Sequence, residues 1–167
     1  CIKTQNDKEI ISIVKNIAPA FGGINLEDIA APRCFAIEEA LQDIGIPVMH
    51  DDQHGTAIVI LAALMNAAKV VNKNIEDSKV VINGAGAAGT AVTKLLLCLG
   101  IDKNICTSVK EIVVCDSKGI IYDGRADLNE FKIQLSKVTN RNKRKGALKD
   151  ALIGADAFIG VSTGNLL

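Results

Sequence analysis

Lys79-Val80-Val81-Ile82-Asn83-Gly84-Ala85-Gly86-Ala87-Ala88-Gly89-Thr90 is the stretch on which the reading of the fold turns. Val80, Val81 and Ile82 form an apolar run too short for a helix and rich in β-branched residues, which predicts a buried strand. Gly84, Gly86 and Gly89 follow as G-x-G-x-x-G, and Thr90 to Gly100 continues in an apolar helical pattern. Glycines so spaced also serve ordinary turns, but a strand before them and a helix after them supply the context of a dinucleotide site. The three glycines then serve different ends: a tight turn, close approach of backbone to a pyrophosphate, and close packing of helix on strand. The phosphates sit at the helix N-terminus, where unpaired N–H groups and the macrodipole favour negative charge. Gly84, Ala85, Gly86, Ala87, Ala88 and Gly89 are the expected cofactor-binding residues.

Upstream, Lys8 to Ala18 carries Ile10, Ile13, Val14 and Ile17 at helical spacing, and Pro19 closes it. Phe21 to Leu26 reads as a short strand ending in Glu27-Asp28. Pro32 opens a helix over Arg33–Ile44, which Gly45 stops. Ile46 to His50 is a second short strand, ending in Asp51-Asp52, and Gly55 to Val71 is a helix apolar on nearly every side, which predicts deep burial. Downstream, Glu111 to Cys115 is a strand with Asp116 at its end. Arg125–Ser136 and Ala147–Ile153 read as helices, and Ala157–Val161 as a third strand. Strands alternating with helices predict an α/β fold: a parallel, doubly wound, Rossmann-type sheet over 53–167, preceded over 1–52 by the end of another α/β unit.

Ligands in such sheets sit beyond the carboxyl ends of the strands. Glu27-Asp28 and Asp51-Asp52 each occupy such an end. Two carboxylates ~4 Å apart repel by about 4 kcal/mol at an effective dielectric of 20, so converging acids call for a divalent cation. All-oxygen ligands select a hard one, Mg²⁺ or Mn²⁺. The competing reading makes Asp52 an ordinary helix N-cap. His50 and His54 flank the pair and are as well suited to hydrogen bonding as to ligation, so neither is given a role. Asp116 lies where an acid accepts from the adenosine ribose, which favours NAD over NADP, while Lys118 could instead meet a 2′-phosphate.

Composition narrows the classes. The 167 residues are 49% hydrophobic, with 19 basic and 19 acidic side chains. Zero net charge gives no electrostatic case for nucleic acid or an anionic membrane. The run Asn140–Lys145 has no interleaved aromatics and reads as a solvated loop. Gln53–Ala68, the longest stretch without a formally charged residue, is shorter than the ~20 residues of a membrane span. Five cysteines without a C-x-x-C pair argue against zinc or a disulfide framework, place Cys98 and Cys115 as small core residues, and suit a cytoplasmic protein. The absence of a starting Met and the close at Asn165-Leu166-Leu167 suggest a piece of a longer polypeptide.

Taken together, Phe21–Pro32 (FGGINLEDIAAP), His50–Ala57 (HDDQHGTA), Gly84–Gly89 (GAGAAG), Cys115–Gly119 (CDSKG) and Ala155–Ser162 (ADAFIGVS) resemble the malic enzyme family, in its compact bacterial-type form, over essentially the whole chain. The resemblance implies oxidative decarboxylation of L-malate to pyruvate and CO₂ with reduction of NAD(P)⁺. It implies Glu27, Asp28 and Asp52 as ligands of the divalent cation, and Asp51 as the residue orienting the general base. Thr56 and Val161 would line the nicotinamide pocket, with Asp116 and Ser117 at the adenosine ribose. The family's lysine base and tyrosine acid lie upstream of Cys1 and its malate-gripping asparagines beyond Leu167, so the chain alone is expected not to turn over malate. Tyr122, the sole tyrosine, is not placed to substitute. Enzymes like this are usually homodimers or larger. Malolactic and oxaloacetate-decarboxylating relatives share these motifs. A non-catalytic NAD-sensing module is the alternative of another class, against which the acid pairs weigh.

Overall fold

A computed structural model describes residues 1–102 and 104–164. Helix α1 (Asp7–Ile17) begins where the Asn6 side chain accepts from the backbone N–H groups of Lys8 and Glu9, and it buries Ile10 and Val14. Strand β1 (Ile24–Leu26), helix α2 (Arg33–Glu39) and strand β2 (Val48–His50) follow. The two strands pair in parallel with Leu26 opposite His50, so the acid pairs leave adjacent strand ends side by side. Ile10, Val14, Leu26, Ile37, Leu41 and Val48 close a first core around them.

Helix α3 (His54–Val70) leads into the larger sheet. Its strands are β3 (Lys79–Asn83), β4 (Glu111–Asp116), β5 (Gly119–Ile120) and β6 (Ala157–Gly160), in the order β5-β4-β3-β6. β3 is central and parallel to β4 and β6; β5 turns back antiparallel from β4. The nearly unbroken apolar runs of β3 and β4 are explained by burial on both faces. Val80, Ile82, Ile112 and Val114 pack toward α3 and helix α4 (Ala87–Leu96) through Ala57, Val92 and Leu96. Val81, Val113 and Cys115 pack on the other face against Ala151 of helix α6 (Leu148–Leu152). Helix α5 (Glu130–Val138) completes the order of elements. The α/β architecture with a parallel, doubly wound sheet is therefore present.

Helix α2 ends at Glu39 rather than running on to Ile44, and four further expectations need correcting. Helix α3 is not deeply buried: Ile58, Val59, Met65 and Val70 stand 60%, 68%, 47% and 86% exposed, and only Ala57 and Ala68 are buried. A helix apolar all round still meets the sheet along one stripe, here Ala57, Ile60, Leu61 and Leu64. Arg125 lies outside α5, because the Asn129 side chain caps that helix through Lys132 N and fixes its start at Glu130. The basic run is not simply solvated. Asn140 is 4% exposed and donates to the carbonyls of Ile121 and Arg144, and the Arg144 guanidinium donates to the carbonyls of Asp150 and Ile153.

The fourth concerns cysteine. Cys98 is not a core residue; it is disulfide-bonded to Cys106. α4 ends at Leu96, Cys98 takes φ 54°, and the following loop returns to bring the two Cα atoms to 5.9 Å. Cys1, Cys34 and Cys115 are free thiols, the latter two buried. Burial, with the charge of Asp116 beside it, pushes the Cys115 thiol up to about 11. A buried, protonated thiol is a poor nucleophile. Alkylation of the native chain is therefore expected to modify Cys1 alone at speed, with three thiols reactive after denaturation and five after reduction as well. Mass spectrometry counts them; five before reduction would mean the Cys98–Cys106 bond is not formed.

Candidate dinucleotide cradle and cation site

Gly84 leaves β3 at φ +124°, and a Cβ there would stand 2.8 Å from the Val161 carbonyl oxygen. A Cβ on Gly89 would stand 1.7 Å from the carbonyl oxygen of Gly84. These two glycines let α4 and the residue after β6 close on the turn. Gly86 differs, since a Cβ there would meet nothing within 4 Å. It is the N-cap of α4 and no side chain caps that helix, so the first-turn N–H groups of Ala87 and Ala88 are left to an incoming anion. Ala85 is half-buried, packed against the core beneath. Val161 donates its N–H to Asn83 O at 2.9 Å, which holds its side chain against the turn, with Cγ2 3.1 Å from the Gly84 Cβ position. The cradle is open where a pyrophosphate would approach and closed elsewhere.

At the end of β4, Asp116 is 7% exposed at its side chain. Both Arg125 terminal nitrogens donate to it, at 3.0 and 2.5 Å, Lys132 Nζ donates at 2.7 Å, and Lys118 N at 3.0 Å. Burial works against the charge, but the hydrogen bonds from Arg125 and Lys132 outweigh it and hold the carboxyl down at about 2. The same pairing raises Arg125. Ser117 is exposed beside it, and Lys118 is drawn to Asp127 at 2.9 Å. Sequence alone does not point to Arg125 and Lys132, since nothing in their spacing from Asp116 marks them as its partners.

The second acid pair lies at the turn from β2 into α3. Asp51 accepts from Asp52 N at 3.0 Å through its side chain, and from Thr56 N at 3.0 Å through its carbonyl. Thr56 thus sits one helical turn from Asp51. The capping alternative for Asp52 does not hold, because Gln53 is the N-cap residue and no side chain caps α3. Ligand atoms of His50, Asp51 and Asp52 lie within 4.8 Å of one another. His50 is fully buried, its Nε2 lies 3.2 Å from Ile29 O, and its Nδ1 has no partner. Glu27 and Asp28 belong to no such cluster among the described residues. Both are exposed; Glu27 accepts from Asn25 Nδ2 at 3.1 Å, and Asp28 takes φ 57°. They line a cavity of about 470 Å³ with Arg33, whose guanidinium is held by Asp7 and Gln5. Carboxylates that form no ion pair among the described residues suit a hard cation, whereas the orphaned His50 nitrogen beside them is a borderline ligand that an all-oxygen shell does not use. The structure brings Asp52 together with Asp51 and His50 rather than with Glu27 and Asp28, which remain on the neighbouring strand end.

Glu38, also missed by sequence reasoning, is 8% exposed on α2 and is bound by Gln53 and His54. A signal was present, since Cys34, Ile37, Glu38 and Leu41 share one helical stripe and an acid within it demands a partner.

An open helix N-terminus behind a glycine turn, at the carboxyl edge of a parallel sheet, defines a dinucleotide-binding α/β protein. Family comparison carries this further. Residues 53–166 match the family model for the malic enzyme NAD binding domain and residues 3–42 that for the malic enzyme N-terminal domain. The chain is similar to the NAD-dependent malic enzyme of Geobacillus stearothermophilus, with 51% identity over 168 residues covering 100% of this chain and 34% of that protein. The bifunctional malic/malolactic enzyme of Bacillus subtilis is 51% identical, covering 99% and 39%. The NADP-dependent malic enzyme of Escherichia coli is 49% identical, covering 92% and 19%. The crystal structure of the Thermotoga maritima NAD-dependent malic enzyme superposes with a TM-score of 0.91 at 48% identity, covering 100% of this chain and 43% of that one. The chain belongs to the malic enzyme family. It spans about a third of the length of the Geobacillus and Bacillus relatives. Among the described residues no helix is long and apolar enough to cross a membrane.

Proposed function

We propose that the chain carries the dinucleotide cradle and the cation-binding acids of an enzyme, a homodimer or larger, that oxidatively decarboxylates L-malate to pyruvate and CO₂ as NAD(P)⁺ is reduced. One observation carries the reading: two acid pairs leave the ends of adjacent parallel strands in a chain whose larger sheet bears a glycine cradle. Nucleotide binding alone has no use for those acids. The unit boundary falls at Asp52, between the strand that ends in acids and the helix that packs on the cofactor sheet.

By their match to the family motif Glu27, Asp28 and Asp52 would hold Mg²⁺ or Mn²⁺, with only Asp52 of the three inside the His50–Asp51–Asp52 cluster; the ion when bound supplies Lewis-acid stabilisation of negative charge on malate oxygens. Asp51, whose side chain accepts from Asp52 N, would orient the base that takes the malate hydroxyl proton. The turn at Gly84, Ala85, Gly86, Ala87, Ala88 and Gly89 would bind the pyrophosphate through α4's free N–H groups. Thr56 and Val161 would shape the nicotinamide pocket and keep water from the hydride path. Asp116 and Ser117 would meet the adenosine ribose. NAD⁺ is then preferred, but discrimination against NADP⁺ is shallow, because Arg125 and Lys132 already offset the Asp116 charge.

The test is calorimetric titration of the chain with NADH, NADPH, Mn²⁺ and L-malate. NADH and Mn²⁺ should bind independently, NADPH more weakly than NADH, and malate only once Mn²⁺ is present. Failure to bind NADH would remove the cofactor assignment; malate binding without a metal would remove the role of the acids. The similarity to the Bacillus malic/malolactic enzyme favours a second reading, with lactate as product in place of pyruvate. Product analysis of a polypeptide of full family length separates the two.

A further inference from the structure

We propose that Glu38 is a positioning residue for the Asp51–Asp52 turn, acting through Gln53 and His54; this rests on the proposed cation site. Its side chain is 11% exposed, and among the described residues it forms no ion pair with Lys or Arg. One oxygen accepts from Gln53 Nε2 at 2.9 Å, and the other lies 2.8 Å from His54 Nε2. Those two residues immediately follow Asp52. Among the described residues, every side-chain hydrogen bond that leaves residues 51–54 for another element ends on Glu38.

That clamp replaces what a cap would ordinarily supply. No side chain caps α3, so the direction in which β2 turns into α3 is set from outside the turn. Gln53 also donates its backbone N–H to His50 O at 3.1 Å and accepts from Ala57 N at 3.1 Å through its carbonyl. Fixing the Gln53 side chain therefore fixes both the end of β2 and the first turn of α3, with Asp51 and Asp52 between them. Glu38 is itself anchored, because Gln42 in the turn after α2 donates to Glu38 O at 3.2 Å and to Val48 O at 3.4 Å, tying α2 to β2. The negative charge stands beside the α3 N-terminus, where the macrodipole favours it. Groups that orient cation-binding side chains from behind typically change affinity by 10–100-fold when removed.

The experiment measures Mn²⁺ affinity of the chain by calorimetry, with circular dichroism melting recorded alongside. Glu38→Gln removes the charge and leaves one acceptor oxygen where Gln53 and His54 now have one each, and should weaken Mn²⁺ binding by about tenfold. The exchanged double variant Glu38→Gln/Gln53→Glu lets the new amide donate to the new carboxylate and keep its own oxygen for His54, and should recover most of it. A purely structural role would move the melting temperature and leave the affinity of the folded protein unchanged. Should Glu38→Gln fail to fold, His54→Gln, at a half-exposed position, tests the same clamp with a smaller loss. Asp52→Asn separates the two layers. Lost binding there with wild-type affinity in Glu38→Gln and His54→Gln overturns the positioning role alone. Wild-type affinity in Asp52→Asn overturns the cation site, and the positioning role with it.

Discussion

Gly89→Ala is expected to disable the cradle and destabilise the fold, whereas Gly86→Ala disables the cradle and leaves the fold intact. The added methyl at position 89 would stand 1.7 Å from the Gly84 carbonyl oxygen, a backbone atom that cannot step aside. Gly84 in turn is confined at φ +124° against the Val161 carbonyl. α4 must therefore move off the end of β3, along an interface that includes Ile82 and Val92. Overpacking of this kind costs ~1–3 kcal/mol and occasionally more. Denaturant titration should reveal that loss together with loss of NADH binding. At position 86 the methyl meets no protein atom within 4 Å, so the melting temperature should not change. It would project into the space left for the pyrophosphate, and NADH affinity should fall by ~10–100-fold, about 1.4–2.8 kcal/mol. NADH binding by Gly86→Ala at wild-type strength would mean the anion does not sit on this turn.

The same glycines explain why the sheet is legible from sequence and the acid site less so. A strand that must be apolar on both faces, a glycine-spaced turn and a helix with one apolar stripe each leave a mark within a few consecutive residues, even where the contact that demands it, such as Val161 on Gly84, is distant. β3, β4, β6 and α4 are accordingly readable, as is the parallel pairing that brings the two acid pairs to neighbouring strand ends. Long-range pairing is not. Glu38 finds Gln53 across 15 residues, and Lys132 finds Asp116 across 16, through side chains whose identity carries no mark of the partner. Composition likewise misjudges α3, because hydrophobicity records that a face avoids water without saying which neighbour covers it. An apolar pattern running on to Gly100 puts Cys98 in the core; the end of α4 at Leu96 turns the cysteine out toward Cys106.

Asp116→Asn is the substitution in which stability and cofactor choice should change together. The wild-type carboxyl titrates at about 2 against an ordinary 3.8. Because the folded-state value is the lower one, the stabilisation is complete above the ordinary carboxylate range and lost as pH falls through 3.8 toward 2. The difference corresponds to about 2 kcal/mol at neutral pH. An uncharged isostere removes at least that, and it leaves Arg125, 9% exposed at its side chain, without its main counter-charge. Breaking a buried pair from one side commonly costs ~3–5 kcal/mol, so a loss of about 3 kcal/mol is expected in urea denaturation at neutral pH. The gap to wild type should narrow as pH falls from 3.8 toward 2, since the unfolded wild-type chain takes up the proton that the folded Asp116 carboxyl resists. Lys132, and Arg125 with only Asp127 left as counter-charge, would then face the ribose position, so affinity for NADPH should rise relative to NADH. A stability gap that persists unchanged into acid would show that Asp116 acts through packing rather than charge. An unaltered NADPH-to-NADH ratio would remove it from the ribose site, leaving the Asp116–Arg125–Lys132 cluster as a brace between β4 and α5 and nothing more.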